Sequence, residues 1–207
     1  MRVFVAGATG ALGRHLVPEL VAAGHEVVGM TRMAAKQEAL RATLDAIRHL
    51  EQAVTGIGWG EGLVLRYGGF YGLGTSLSLE PGAAAVESVR KRQFPVIGDG
   101  GGVWSFVHIE DAAAATAAAV ERGRAGIYQI VDDEPAPVRE WLPALAEALG
   151  AEPPRRLPRW LGRLLAGETA TVMMTQIRGA SNTKAKRELG WTLRYPSWRL
   201  GFAKGLG

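Results

Sequence analysis

Residues 2–13 read RVFVAGATGALG, a short strand-forming run that passes directly into regularly spaced glycines. Gly7, Gly10 and Gly13 stand at positions i, i+3 and i+6. Such glycines allow a sharp exit from a strand, a close approach of phosphates to the backbone, and tight packing of a helix on a sheet. The free amides and the dipole of the following helix then favour an anion. The pattern predicts a dinucleotide-binding turn, and a glycine turn that serves packing alone is the alternative.

The next segments complete a strand–helix–strand unit. Over residues 11–23, Leu12, Leu16, Leu20 and Val21 fall on one helical stripe, and Gly24 stands where a C-terminal cap is expected. Residues 25–30 predict a second strand. Because strand–helix–strand crossovers are almost always right-handed, we expect this strand to run parallel to the first.

The rest of the chain predicts an α/β protein with a Rossmann-like parallel sheet and a small C-terminal annex. A long helical pattern covers residues 33–55, a strand 62–66, and a glycine-rich loop 67–74. Asp111 is expected to open an alanine-rich helix. Further helices are predicted at 83–92, 138–149, 160–166, 169–177 and 183–189, strands near 94–97, 103–108 and 126–131, and a stiff connector at 153–158. We divide the chain into a dinucleotide-binding domain, residues 1–131, with a substrate-side segment at about 73–103, and a mainly helical annex, residues 132–207.

Composition narrows the class of protein. The chain has 207 residues, of which 47% are hydrophobic and 21% charged, as is usual for a soluble globular protein. The absence of cysteine excludes disulfides, thiolate zinc sites and cysteine nucleophiles, and fits a cytoplasmic location. No run approaches the roughly 20 apolar residues of a membrane span, so we expect no membrane partner. The net charge of +4 comes largely from the last third, where interspersed glutamates favour a solvated face over a nucleic-acid surface.

The residues after the second strand bear on the choice of cofactor. A cofactor with a free ribose 2′-hydroxyl is usually met there by Asp or Glu, whereas this chain has Thr31 and Arg32. An arginine can bind a 2′-phosphate in bidentate fashion, and a carboxylate would repel it. The pair therefore favours NADP(H), with NAD(H) still open, and an Arg32 that caps a helix or faces water is the alternative.

Three later segments match a known family in its order along the chain. They read GLVLRYGGFYG at 62–72, VHIEDAA at 107–113 and SNTKAKRELGW at 181–191. With the glycine fingerprint they resemble the extended and atypical short-chain dehydrogenase/reductases, the NAD(P)-dependent epimerase/dehydratase group. The three segments are similar to its "LRxxxxYG", "VHVxDxA" and "SxxKAxxxLGW" elements, and the resemblance extends over nearly all of the chain.

The resemblance implies oxidoreductase or epimerase chemistry on a small carbonyl or hydroxyl substrate. It implies that Tyr67 and Tyr71 line the nicotinamide. The equal alternative is that both tyrosines are aromatic residues of the core. A homodimer is left open. His108 is more often a buried strand histidine than a catalyst, and Asp111 more often a helix cap. The implied pyrophosphate contacts are Gly7, Thr9, Gly10, Ala11, Leu12 and Gly13, and the implied 2′-phosphate contact is Arg32 beside Thr31.

The chain departs from this family in its catalytic pair and in its centre. Family members use a tyrosine with a lysine four residues on, whose charge favours the phenolate. The positions four residues after the four tyrosines hold Tyr71, Thr75, Asp132 and Arg199. Three further strands are expected between the second strand and the "LRxxxxYG" strand, where this chain has one helix with a junction near Ala42 and Thr43. A non-catalytic binding or sensor protein, or an inactive truncated product, therefore stands beside the oxidoreductase interpretation.

Overall fold

The computed structural model describes residues 2–6, 11–24, 26–30, 40–58 and 60–207. Contacts divide the chain into two compact units that interleave along the sequence. Unit 1 comprises residues 1–66, 110–130 and 182–192, and unit 2 comprises residues 67–109, 131–181 and 193–207. The sequence-based division into domains after residue 131 stays a prediction.

The described residues form ten strands and eight helices. The strands are β1 (Arg2–Ala6), β2 (Glu26–Met30), β3 (Leu63–Tyr67), β4 (Gly69–Tyr71), β5 (Val96–Ile97), β6 (Val103–Trp104), β7 (Phe106–His108), β8 (Gly126–Ile130), β9 (Ala136–Pro137) and β10 (Arg156–Leu157). The helices are α1 (Ala11–Ala22), α2 (Leu40–Thr55), α3 (Ala84–Arg90), α4 (Ile109–Arg122), α5 (Val138–Ala148), α6 (Arg159–Thr175), α7 (Thr183–Leu189) and α8 (Trp198–Lys204). Helix α6 is kinked at Gly167, which has non-helical dihedral angles, so the two separate helices predicted here are its two halves.

The strand–helix–strand unit at the start of unit 1 is confirmed. Strands β1 and β2 are parallel, in a register that runs from Arg2 opposite Glu26 to Ala6 opposite Met30. Helix α1 connects them, and its buried Leu16 and Leu20 pack with Ala113 of α4. The predicted apolar stripe is therefore confirmed at Leu12, Leu16 and Leu20, whereas it is wrong at Val21, which is 57% exposed.

Helix α2 is held to the strand that follows it by a bidentate ion pair. Arg66 of β3 donates from Nε and Nη2 to the two carboxylate oxygens of Glu51, at 2.7 and 2.6 Å. These hydrogen bonds lower the pKa of Glu51. Within the described residues β3 is hydrogen-bonded to β8, and β1 to β2. The predicted long helix is thus α2 from Leu40 onward, and residues 31–39 lie outside the described residues.

Unit 2 is built around an aromatic core. Strands β4 and β7 are parallel, β5 and β10 are parallel, and β6 and β9 are antiparallel. The core combines side chains of these strands with those of α3, α5 and α8. Its largest fully buried members include Tyr71, Phe106, Trp141 and Trp198.

Four local predictions need correction. The glycine-rich stretch 67–74 is not all loop, because pairing with β7 makes Gly69–Tyr71 a strand. The connector 153–158 contains β10, which pairs with β5. Helix α8 was not predicted, although Ser197 caps it by accepting a hydrogen bond from the Arg199 amide. Asp111 does not open its helix, since α4 starts two residues earlier at Ile109.

The fold is mixed α/β with parallel strand pairs, and it lacks the central part of the pattern it resembles. The described pairings join the strands two by two. None of the helices in the described part of the chain is long and apolar enough to cross a bilayer.

Candidate functional site

The predicted pyrophosphate site centres on the start of α1. Strand β1 ends at Ala6 and α1 begins at Ala11, so the turn between them, with Gly7, Thr9 and Gly10, lies outside the described residues. Gly13 is buried in the first turn of α1, consistent with a glycine chosen for close packing.

The first turn of α1 suits an anion. The first four amides of an α-helix have no acceptor within the helix, and in α1 these include the amides of Ala11, Leu12 and Gly13. No acidic residue lies in this turn to repel an anion. The donor set and its place after a parallel strand therefore fit the pyrophosphate of a dinucleotide.

The predicted cofactor-selecting residues follow β2. This strand ends at Met30, level with the end of β1, because Ala6 and Met30 are register partners. Thr31 and Arg32 lie outside the described residues. Their place directly after β2 is where the ribose of a dinucleotide is usually contacted.

Tyr67 and Tyr71, predicted at the nicotinamide end, differ in accessibility. Tyr67 ends β3 and is partly exposed, with its ring centroid 5.4 Å from that of Phe70. Tyr71 has 0% exposure, and its ring packs against His108 and Phe202 at centroid distances of 5.2 and 5.5 Å. These contacts favour the core alternative for Tyr71, whereas Tyr67 keeps a surface that a ligand could touch.

His108 is a buried strand histidine, the more common of the two roles considered for it. Its Nε2 lies 3.0 Å from the carbonyl oxygen of Gly205, which requires Nε2 to be the donor. The Tyr195 ring covers it at a centroid distance of 4.1 Å. Gly72, at φ +102°, faces the same ring, and a Cβ there would come within 2.6 Å of Nε2. His108 is therefore enclosed on several sides within unit 2.

Asp132 is a buried carboxylate that sequence reasoning missed. It is 1% exposed, and its Oδ1 accepts a hydrogen bond from the Glu134 amide at 3.3 Å. The Trp198 amide also bonds to it, while Oδ2 has no hydrogen-bond partner among the described residues. Burial is the main reason that its pKa rises to about 7. The only hint in the sequence is the acidic run Asp132-Asp133-Glu134 directly after an apolar strand.

The usual catalytic groups of such a fold are not assembled here. No tyrosine has a lysine four residues on, so the family's proton-transfer pair is absent from the sequence. Among the residues that the structure describes, no cluster of His, Asp or Glu side chains could hold a metal ion.

Comparison with known proteins places the fingerprint in a family. Residues 3–58 match the model of the NAD dependent epimerase/dehydratase family. A Streptomyces sp. protein named 3-diazoavenalumate denitrifying reductase is 44% identical over 163 residues, which are 79% of this chain. The family match covers most of β1 and all of α1, β2 and α2. The aligned part spans 53% of the reductase, so the chain covers about half the length of this curated relative.

Solved structures of this epimerase/dehydratase family share the fold. The human epimerase family protein SDR39U1, solved with NADPH, has a TM-score of 0.71 at 17% identity, over 100% of this chain and 99% of that one. The UDP-glucose 4-epimerase of Thermus thermophilus, solved with NAD, has a TM-score of 0.62 at 18% identity, over 100% and 98%. These neighbours bind a nicotinamide dinucleotide of either kind, and at such identities the likeness concerns the fold.

Proposed function

We propose that this chain binds NADP(H) at the start of α1 and derives from oxidoreductases that act on a small carbonyl or hydroxyl substrate. The observation that carries the proposal is the β1–α1–β2 unit. Its two strands are parallel and in register, and its helix begins directly after the glycine run. Gly7, Thr9, Gly10, Ala11, Leu12 and Gly13 would contact the pyrophosphate.

The preference for NADP(H) over NAD(H) rests on Arg32. A guanidinium after the second strand offers a 2′-phosphate two parallel hydrogen bonds, and no carboxylate stands beside it at Thr31. Tyr67, the more accessible of the two tyrosines, would border the nicotinamide, and Tyr71 would support it from the core.

The proposed descent from oxidoreductases is supported by the Streptomyces relative, whose name describes a denitrifying reductase. A protein of that kind needs a hydride or electron donor, which a nicotinamide cofactor supplies when it is bound. A small-molecule substrate is accordingly the expected second ligand.

A second candidate function is a binding or sensor protein without turnover. It is favoured by the absence of a Tyr-x-x-x-Lys pair and of the three central strands expected in the family. A chain of this kind would retain the nucleotide-binding fingerprint and lose the chemistry. Titration with NADPH does not separate the two functions, whereas a turnover assay does.

The proposal is tested by replacing Gly10 with valine. A side chain at Gly10 would stand between the backbone and the phosphates, so Gly10→Val should weaken NADPH binding at least tenfold, about 1.4 kcal/mol. Binding is measured by the change in NADPH fluorescence on titration with the purified chain.

Gly58→Val is the matched control. A Cβ at Gly58 meets nothing within 4 Å, so this variant should fold and bind as the wild type does. Unchanged NADPH affinity in a folded Gly10→Val variant would contradict the assignment, and so would equal losses in both variants.

A further inference from the structure

The first half of α6 and the residues before it carry apolar and basic side chains that the core does not use. Residues 155–165 read RRLPRWLGRLL, with four arginines and no acidic residue. We call these residues the arginine–tryptophan segment. Trp160 is 70% exposed, Leu164 75% and Leu165 68%. Large apolar side chains as exposed as these, next to one another, mark an interaction surface.

The orientation of the helix is fixed by its other side. Gly162 packs against Ile97, which is 1% exposed, so closely that a Cβ at this position would overlap it. Trp160 and Leu164 each lie two residues from Gly162, about 200° around a helix of 3.6 residues per turn. Anchoring of Gly162 on the core therefore keeps Trp160 and Leu164 pointing away from it.

Arginines flank this apolar face. Arg159 and Arg163 precede Trp160 and Leu164 by one residue each, about 100° around the helix, so they border the apolar face. Arg155 and Arg156 add two exposed positive charges just before α6. Arg163 is paired with Glu168 at 2.9 Å, in an ion pair exposed enough to yield to a stronger anion.

We propose that the arginine–tryptophan segment docks on the surface of a bilayer that contains anionic lipid. A helix with tryptophan and leucine on one face and arginines at its border is suited to lie in the plane of a membrane interface. The arginines supply the attraction to negative headgroups, and Trp160 and Leu164 supply the apolar insertion.

Two other occupants fit less well. A second copy in a symmetric contact would bring the four arginines of one chain against the same four of the other, which is repulsive. A peptide partner usually lies in a groove, whereas side chains exposed by more than two thirds project from the surface. The expectation that no membrane is a partner rested on the lack of a spanning segment. Docking on a membrane surface needs no such segment, so the proposal revises that expectation.

The test is cosedimentation of the full chain with vesicles. One set contains phosphatidylcholine alone, and the other an equal mixture of phosphatidylcholine and phosphatidylglycerol. We expect binding to the anionic vesicles that weakens with salt and is much weaker for neutral vesicles. Each arginine near an anionic surface contributes a factor of about five, so Arg159→Gln with Arg163→Gln should weaken binding about 25-fold. Trp160→Ser with Leu164→Ser should weaken it at least tenfold.

Matched controls come from unit 1. Leu50→Ser changes a leucine that is 65% exposed on α2, and Arg187→Gln changes an exposed arginine that is ion-paired with Glu188 on α7. Both should bind anionic vesicles as the wild type does. The proposal is overturned by a lack of binding to anionic vesicles, by equal binding to neutral ones, or by equal losses in the controls. It is also overturned if the Trp160 and Leu164 changes do not weaken vesicle binding, because charge attraction alone would then explain it. The same holds if these changes abolish a dimer in solution without affecting sedimentation with vesicles, because the segment would then be a contact between two copies of the chain.

Discussion

The buried carboxylate of Asp132 makes a specific prediction about stability. Asp132→Asn removes the charge and retains an oxygen that can accept from the Glu134 and Trp198 amides. The pKa of Asp132 is raised from 3.8 to about 7, chiefly because burial disfavours the charged form. Between these values the unfolded chain is ionised and the folded chain is not. The wild-type free energy of unfolding should therefore fall as pH rises from about 4 to about 7, and then level off.

The size of the effect follows from the shift. At 1.36 kcal/mol per pKa unit, a shift of about three units is worth at most about 4 kcal/mol over the whole range. Between pH 5 and pH 8 about 2–3 kcal/mol of this should appear. The asparagine variant lacks this component, although its new amide hydrogens, buried where Oδ2 has no partner, add a pH-independent cost of about 1–3 kcal/mol.

The assay is urea unfolding at pH 5 and pH 8, followed by the fluorescence of the six tryptophans. The quantity compared is the stability difference between wild type and Asp132→Asn, which should shift by about 2–3 kcal/mol in favour of the variant at the higher pH. Asp133→Asn changes the exposed neighbour, whose charge adds only the smallest of the contributions to the raised pKa of Asp132, and should retain most of the wild-type pH dependence. Parallel profiles for wild type and Asp132→Asn would show that the Asp132 carboxyl does not titrate with a raised pKa in the folded chain.

Three other predictions concern the cofactor, turnover and packing. Arg32→Asp should reverse the preference from NADP(H) toward NAD(H), and equal discrimination by both proteins in parallel titrations would show that Arg32 does not contact the 2′-phosphate. The chain should not turn over a carbonyl substrate with NADPH, because acid–base assistance by the missing pair is typically worth about 10²–10⁴-fold; steady oxidation of NADPH at 340 nm by the purified protein would contradict this. Gly201→Ala should destabilise unit 2 by about 1–3 kcal/mol in urea unfolding, because its methyl group would overlap the ring of the fully buried Tyr71. Wild-type stability in that variant would mean that the ring can shift.

The elements that sequence predicted well are those with local causes. Strand β1, helix α1 and strand β2 follow from a short apolar run, a helical stripe and glycines at both ends of the helix, all within 30 residues. Helix α7 was predicted with its observed bounds, because Gly190 at φ +59° supplies a left-handed C-terminal cap.

The elements that sequence missed depend on distant partners. Strand β4 exists because Tyr71 is the register partner of His108, which is 37 residues away in the chain. The burial of Asp132 depends on α8, whose Trp198 amide reaches back to it. The exposure of Trp160 likewise depends on the contact between Gly162 and Ile97, because this contact decides which side of α6 faces the core. None of these contacts leaves a periodic pattern in the sequence.

The central claim, a dinucleotide held at the start of α1, is tested most directly by the backbone amide resonances of this chain as NADPH is added. We expect saturable shifts at the amides of Ala11, Leu12 and Gly13, where a helix N-terminus meets the pyrophosphate. Saturable NADPH binding that leaves these three amides unshifted would contradict it, as would the absence of any saturable binding.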